Sequence, residues 1–100
     1  MVIDNRPIRP EVMDFARAME IVLRKNDHKG GWDKDTLPWL SAKFIEEVGE
    51  VAVECRRTLW TGTDDVLLGR PDYDRMMNEL VDVANVAMML YDRMRQLKER

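Results

Sequence analysis

Apolar residues recur at three- and four-residue steps in three stretches of the chain, separated by two polar or glycine-containing interruptions. In the first stretch, Val12, Phe15, Ala16, Met19, Val22 and Leu23 trace one face of a helix that starts at Pro10 and runs to about Lys25. The second is capped by Thr36, carries Pro38 in its first turn and continues through Leu40, Phe44, Val48, Val51, Cys55 and Leu59. The third begins near Asp72, after Pro71, and extends to about Lys98, with Met76, Leu80, Val83, Val86, Ala87, Leu90, Met94 and Leu97 forming its expected buried face. The pattern therefore predicts one all-α domain over residues 1–100, a helical bundle of long antiparallel helices.

Helix lengths add a quaternary expectation. At about 1.5 Å per residue the second and third helices reach roughly 35 and 40 Å and the first only about 24 Å, so one short partner cannot cover both long ones. The expected remedy is homo-oligomerisation, as a homodimer or homotetramer that completes the bundle.

Charge alters the reading of the second and third helices. In KFIEEVGEVAVE, Glu46, Glu47, Glu50 and Glu54 form an acidic ridge; in NELVDVAN, Glu79 and Asp82 stand one turn apart. With Phe44 at zero on a projection of about 100° per residue, the apolar group of helix two centres at ~20°. Glu47 falls at ~300°, Glu54 at ~280° and Glu50 at ~240°, flanking that group, while Glu46, at ~200°, lies farther out. With Glu79 at zero, the apolar face of helix three centres at ~40°, and Asp82 lies beside it at ~300°. A carboxylate at the edge of a core needs a proton, a donor or a cation. Oxygen-only donors without Cys or a helical Glu-x-x-His pair favour Mg²⁺, with Mn²⁺ as its substitute, over zinc or di-iron. The ordinary reading of either ridge alone is a solvated face with ion pairs, such as Lys43 with Glu47.

The first interruption, NDHKGGWDKD, places Lys29 and Lys34 around Trp32. It reads either as a phosphate- and base-contacting loop or as a solvated loop whose Trp plugs the core. Lys43 either pairs with Glu47 or reaches a phosphate. Asn85 either bonds a sugar or base or is an ordinary amide, and Trp60 either lines a nucleobase pocket or closes the core. Cys55 and the eight methionines are read as core filling.

Composition narrows the partners. With 16 Lys plus Arg against 19 Asp plus Glu, the formal charge is -3, and the basic residues are scattered, which argues against duplex nucleic acid. A single cysteine excludes an internal disulfide, and no apolar run approaches the roughly 20 residues of a membrane span, so a soluble cytoplasmic protein is expected.

The order EExxE then ExxD, matched by Glu46, Glu47 and Glu50 and then by Glu79 and Asp82, resembles the all-α nucleoside triphosphate pyrophosphohydrolases of the MazG type. Together with the upstream KGGW, the likeness spans residues 10 to 95. It implies Mg²⁺-dependent cleavage between the α- and β-phosphates of a nucleoside triphosphate, yielding a monophosphate and pyrophosphate. By that resemblance Glu47, Glu50, Glu79 and Asp82 hold metal, and Glu46 or Glu47 accepts a proton from the attacking water. Lys29, Lys34 or Lys43 then steadies the triphosphate, while Trp32, Asn85 and Trp60 contact the base or sugar. The connection from Glu50 to Glu79 is long for a compact member of this group, and it leaves the base preference open. The competing expectation is a non-catalytic helical oligomer whose ridges take a structural cation or a basic protein partner.

Overall fold

The computed structural model describes residues 4–59 and 73–100; the expectations placed on Trp60, on Val66 to Leu68 and on Asp72 fall outside them. The described chain is all-α. It comprises α1 (Pro10–Lys25), a single 3-10 turn (Asp27–Lys29), α2 (Leu37–Leu59) and α3 (Tyr73–Lys98). Pro10 occupies the first turn of α1, where its missing N–H costs nothing, and Arg24 and Lys25 meet the negative end of the helix dipole. The 3-10 turn ends at Gly30, whose φ of 87° is a conformation that glycine adopts without a Cβ penalty. Thr36 caps α2 as expected, its Oγ1 accepting from the Trp39 N–H at 3.2 Å.

α3 is the central element. Glu54 of α2 meets Arg75 of α3, and Glu47 of α2 acts on Asp82, so a step of seven residues forward along α2 matches seven residues back along α3. The two long helices are therefore antiparallel. α1 runs the other way: Asp14, Phe15 and Ala18 share a groove with Met77, Asn78, Leu80 and Val81, and the Met19 carbonyl accepts from Asn85 Nδ2 at 3.3 Å. α1 and α3 are parallel neighbours. Among the described residues α1 and α2 do not pack against each other, so α3 lies between them.

That arrangement corrects the expected face of α3. The buried residues are Met76, Val81, Asn85 and Val86, whereas Leu80, Met94 and Leu97 are exposed. With Glu79 at zero, Val81 and Asn85 fall at ~200° and ~240° and face α1, while Val86 and Leu90 fall at ~340° and ~20° and face α2. A helix covered on two sides does not bury the single stripe that periodicity suggests. Leu80, at ~100°, sits in the open gap between the two neighbours. Met94 and Leu97 are uncovered because antiparallel pairing sets the start of α2 level with about Asp92, and the end of α3 projects beyond it.

The core is small. Among the described residues only Leu40, Met76, Val81 and Val86 are buried hydrophobics, against sixteen exposed large ones, so much apolar surface of the described helices faces water. No described helix is long and apolar enough to cross a membrane.

Candidate active site

The two acidic ridges face each other along the α2–α3 seam. Glu47 and Glu79 are partly buried there, as their positions beside the core require. Asp82 is exposed as a residue, and its carboxyl is only partly desolvated at the seam. Its pKa is raised above the ordinary aspartate value, first by this desolvation and then by the negative charges of Glu47 and Glu79; Lys43 opposes the shift. Glu47, Glu79 and Asp82 thus act on one another electrostatically from two helices. Among the described residues, no group of three or more His, Cys, Asp and Glu side chains is drawn tightly enough together to hold a metal ion as the chain stands.

Basic neighbours stand beside the carboxylates. Lys43 Nζ lies 3.6 Å from Glu47 Oε1, and Arg75 Nε lies 3.5 Å from Glu79 Oε1. Arg75 also reaches across the seam, its terminal nitrogen donating to Glu54 Oε1 at 3.0 Å. Both ridges are therefore held partly by internal cations. One carboxylate oxygen of the described ridges is buried without a partner: Glu79 Oε2 accepts no hydrogen bond. A buried carboxylate oxygen without a donor is costly, and it is the observation in this chain that fits a cation.

Beside this pair opens a cleft of about 610 Å³ lined by Glu46, Glu50, Glu54, Glu79 and Arg75, with Gly49 and Val53 between them. Glu46 and Glu50 are exposed and border the cleft, whereas Glu47 turns toward α3. Glu46, expected at the edge of the site, stands beside Glu50 on its open wall. Glu54 is the ion-pair partner of Arg75. Arg75 is a member of the site that the sequence pattern does not single out. Its i, i+4 spacing to Glu79 is readable, but its partner on α2 depends on the tertiary register.

The loop residues lie elsewhere in the chain. Trp32 is half-buried, and its indole Nε1 donates to Asp92 Oδ2 at 3.0 Å, a bond that with Arg95 lowers the Asp92 pKa. Asp92 is ten residues beyond Asp82, about 15 Å along the helix axis, so Trp32 stands at the far end of α3 from the carboxylates. Lys29 and Lys34 flank it and are exposed. Asn85 is only 4% exposed, and its amide is turned toward α1 rather than toward the cleft; its Oδ1 accepts no hydrogen bond.

The raised Asp82 pKa has a testable sign. A carboxyl whose folded pKa exceeds its unfolded value favours the fold most below the unfolded pKa and loses that contribution as pH rises through the folded pKa. At neutral pH the ionised group therefore disfavours the metal-free fold. Asp82→Asn is expected to raise the melting temperature of EDTA-treated protein at pH 7, by on the order of 2 °C, with the gain fading below about pH 4. Melting curves of both proteins across pH check this, and a lower melting point for the variant at pH 7 contradicts it.

No protein-family model, curated protein or solved structure matches this chain.

Proposed function

We propose that this chain is a MazG-like, Mg²⁺-dependent nucleoside triphosphate pyrophosphohydrolase of the cytoplasm, acting as a homodimer or homotetramer and cleaving the α–β anhydride to a monophosphate and pyrophosphate. The observation that carries the reading is the meeting of Glu47 with Glu79 and Asp82 across the α2–α3 seam, beside a buried Glu79 oxygen that lacks a donor. Glu47, Glu50, Glu79 and Asp82 are the residues that would hold the cation. When bound, Mg²⁺ or Mn²⁺ would neutralise phosphate charge and lower the pKa of a coordinated water.

The remaining tasks fall to the chain. Glu46 borders the open cleft, whereas Glu47 is engaged with Lys43, so Glu46 is the better placed of the two to take a proton from a water in the cleft. Lys43 and Arg75 are the basic side chains beside the carboxylates, and both suit the phosphates. Lys29, Trp32 and Lys34 lie at the opposite end of α3, so in this reading Trp32 would meet the base of an extended nucleotide, and the triphosphate role expected of Lys29 and Lys34 would fall to Lys43. Asn85 in its present pose supports α1, and contact with a sugar or base would require it to leave the Met19 carbonyl.

One observation favours the alternative, a non-catalytic helical oligomer that binds a structural cation or a basic partner. Glu47 and Glu79 already have basic partners within the chain. Incubation with a panel of nucleoside and deoxynucleoside triphosphates, with Mg²⁺ or Mn²⁺, and an assay for pyrophosphate separates the two. Pyrophosphate release supports the enzyme; absence of release from every nucleotide with either metal supports the scaffold.

A further inference from the structure

A network of side chains near the end of α3 surrounds one donor from the distant loop. Trp32 gives its indole N–H to Asp92 Oδ2 at 3.0 Å, and Gln96 Nε2 donates to the same oxygen at 3.0 Å. Arg95 donates to the other Asp92 oxygen at 2.8 Å, and Arg93 donates to Gln96 Oε1 at 2.8 Å and so holds the glutamine. A carboxylate bonded on both oxygens is a fixed acceptor, and a bond to it is stronger than one between neutral groups. The loop by itself does not define the ring. Gly30 and Gly31 precede Trp32, and a Cβ at either would meet nothing within 4 Å. The Asp35 N–H closes a turn on the Trp32 carbonyl at 3.1 Å, which sets the backbone but not the indole. The direction of the ring is therefore set from α3, sixty residues away.

On the nucleotide reading above, we infer that Asp92 is the positioning residue of a base-stacking subsite: it fixes the Trp32 indole so that the ring face meets the base, and no base is distinguished there. An indole has one polar hydrogen and no acceptor, and Asp92 takes that hydrogen. What Trp32 still offers a ligand is its face, and every base has a face to stack on it. The bond to Asp92 lies in the ring plane, so it obstructs neither face, and the ring is half-buried rather than enclosed.

Placement links this network to the carboxylates. With Glu79 at zero, Gln96 and Arg93 fall at ~260° and ~320°, on either side of Asp82 at ~300°, and Asp92 lies at ~220°. All four stand away from the open gap at ~100°. Asp92 is about 15 Å along the axis from Asp82, so a nucleotide lying along that edge of α3 brings its base to Trp32 when its phosphates are at the carboxylates.

The test is a double-mutant cycle read as KM and kcat, with Mg²⁺ and the deoxynucleoside triphosphates of the four standard bases. Asp92→Ala is expected to raise KM by about five- to tenfold, by the same factor for every base, with kcat within about twofold of the intact chain. Asp92→Asn keeps an oxygen for the indole N–H and is expected to recover most of that loss. In a Trp32→Ala background Asp92→Ala is expected to change KM no further, because it acts through the ring. An unchanged KM in Asp92→Ala, a loss confined to one base, or a full second loss in the Trp32→Ala background overturns the role of Asp92. If Asp92→Ala loses its helicity, Trp32→Phe decides: it removes the tethered N–H and keeps a smaller ring face, and a KM at the level of the intact chain overturns the role.

A binding measurement separates this subsite from the enzymatic reading. The Trp32 indole N–H resonance, assigned by its loss in Trp32→Phe, is expected to shift when a deoxynucleoside monophosphate is added, and to need at least about fivefold more of it in Asp92→Ala. Such shifts without pyrophosphate release from any triphosphate overturn the enzyme and leave the subsite. No shift with any of the four monophosphates, or the same concentration dependence in Asp92→Ala, overturns the subsite even where pyrophosphate is released.

Discussion

Glu47→Gln and Asp82→Asn are each expected to reduce metal-dependent pyrophosphate release by at least about 100-fold, with unchanged helicity. Each variant removes one negative charge from the proposed cation site, whose task in that reading is to gather cationic charge against phosphate. A bound cation contributes several kcal/mol to transition-state charge stabilisation, and each loss of about 1.4 kcal/mol is about tenfold in rate. The two variants should also lose metal-induced thermal stabilisation, a readout independent of turnover. Glu46→Gln provides the contrast. If Glu46 accepts a proton without holding the cation, turnover falls while Mn²⁺ still raises the melting temperature. Full activity in both Glu47→Gln and Asp82→Asn removes the metal assignment.

Leu40→Ala carries the largest expected effect on stability. Leu40 is 1% exposed and is the only fully buried large side chain among the described residues, so its truncation removes the most deeply buried apolar group there. Such truncations cost about 2–5 kcal/mol. In a domain of this size that lowers the melting temperature by roughly 10–20 °C or more. The residue stands near the start of α2, on the turn that also carries the Thr36 cap, so its loss should loosen the attachment of α2 to the end of α3. Thermal melts at fixed protein concentration check this, and a fall below about 3 °C contradicts a core centred on Leu40.

How much of this was legible in the sequence differs by element. Three-residue and four-residue periodicity, Pro10 and the Thr36 cap set the bounds of α1 and α2, because those signals are local. The partly buried positions of Glu47 and Glu79 were also legible, since helical phase places them beside apolar residues. The buried face of α3 was not. Periodicity assumes one covered side, and α3 is covered by α1 and α2 on opposite sides, which buries Val81 and Asn85 and exposes Leu80. Arg75 illustrates the same limit within the site. Its link to Glu79 is local and visible, but its hydrogen bond to Glu54 exists only because α2 and α3 run antiparallel in one register. Trp32 was legible as an unusual loop residue, yet nothing along the chain pairs it with Asp92, sixty residues away.

The acidic ridges, the internal cations and the exposed face of α3 lead to one arrangement. Carboxylates of two antiparallel helices line a cleft on one side of the α2–α3 pair, and on the other α3 leaves Met77, Leu80 and Tyr91 exposed. Lys43 and Arg75 each pair with one oxygen of Glu47 and of Glu79, so a cation there competes with internal positive charge. This is a reason to expect metal affinity to be moderate and to depend on ionic strength.

Cleavage at the α–β bond is tested most directly by ³¹P NMR of a nucleoside triphosphate incubated with the protein and Mg²⁺. The triphosphate resonances are expected to give way to those of pyrophosphate and a nucleoside monophosphate, with no orthophosphate or diphosphate intermediate. Orthophosphate with a nucleoside diphosphate, or unchanged triphosphates across the whole panel, would contradict that reaction.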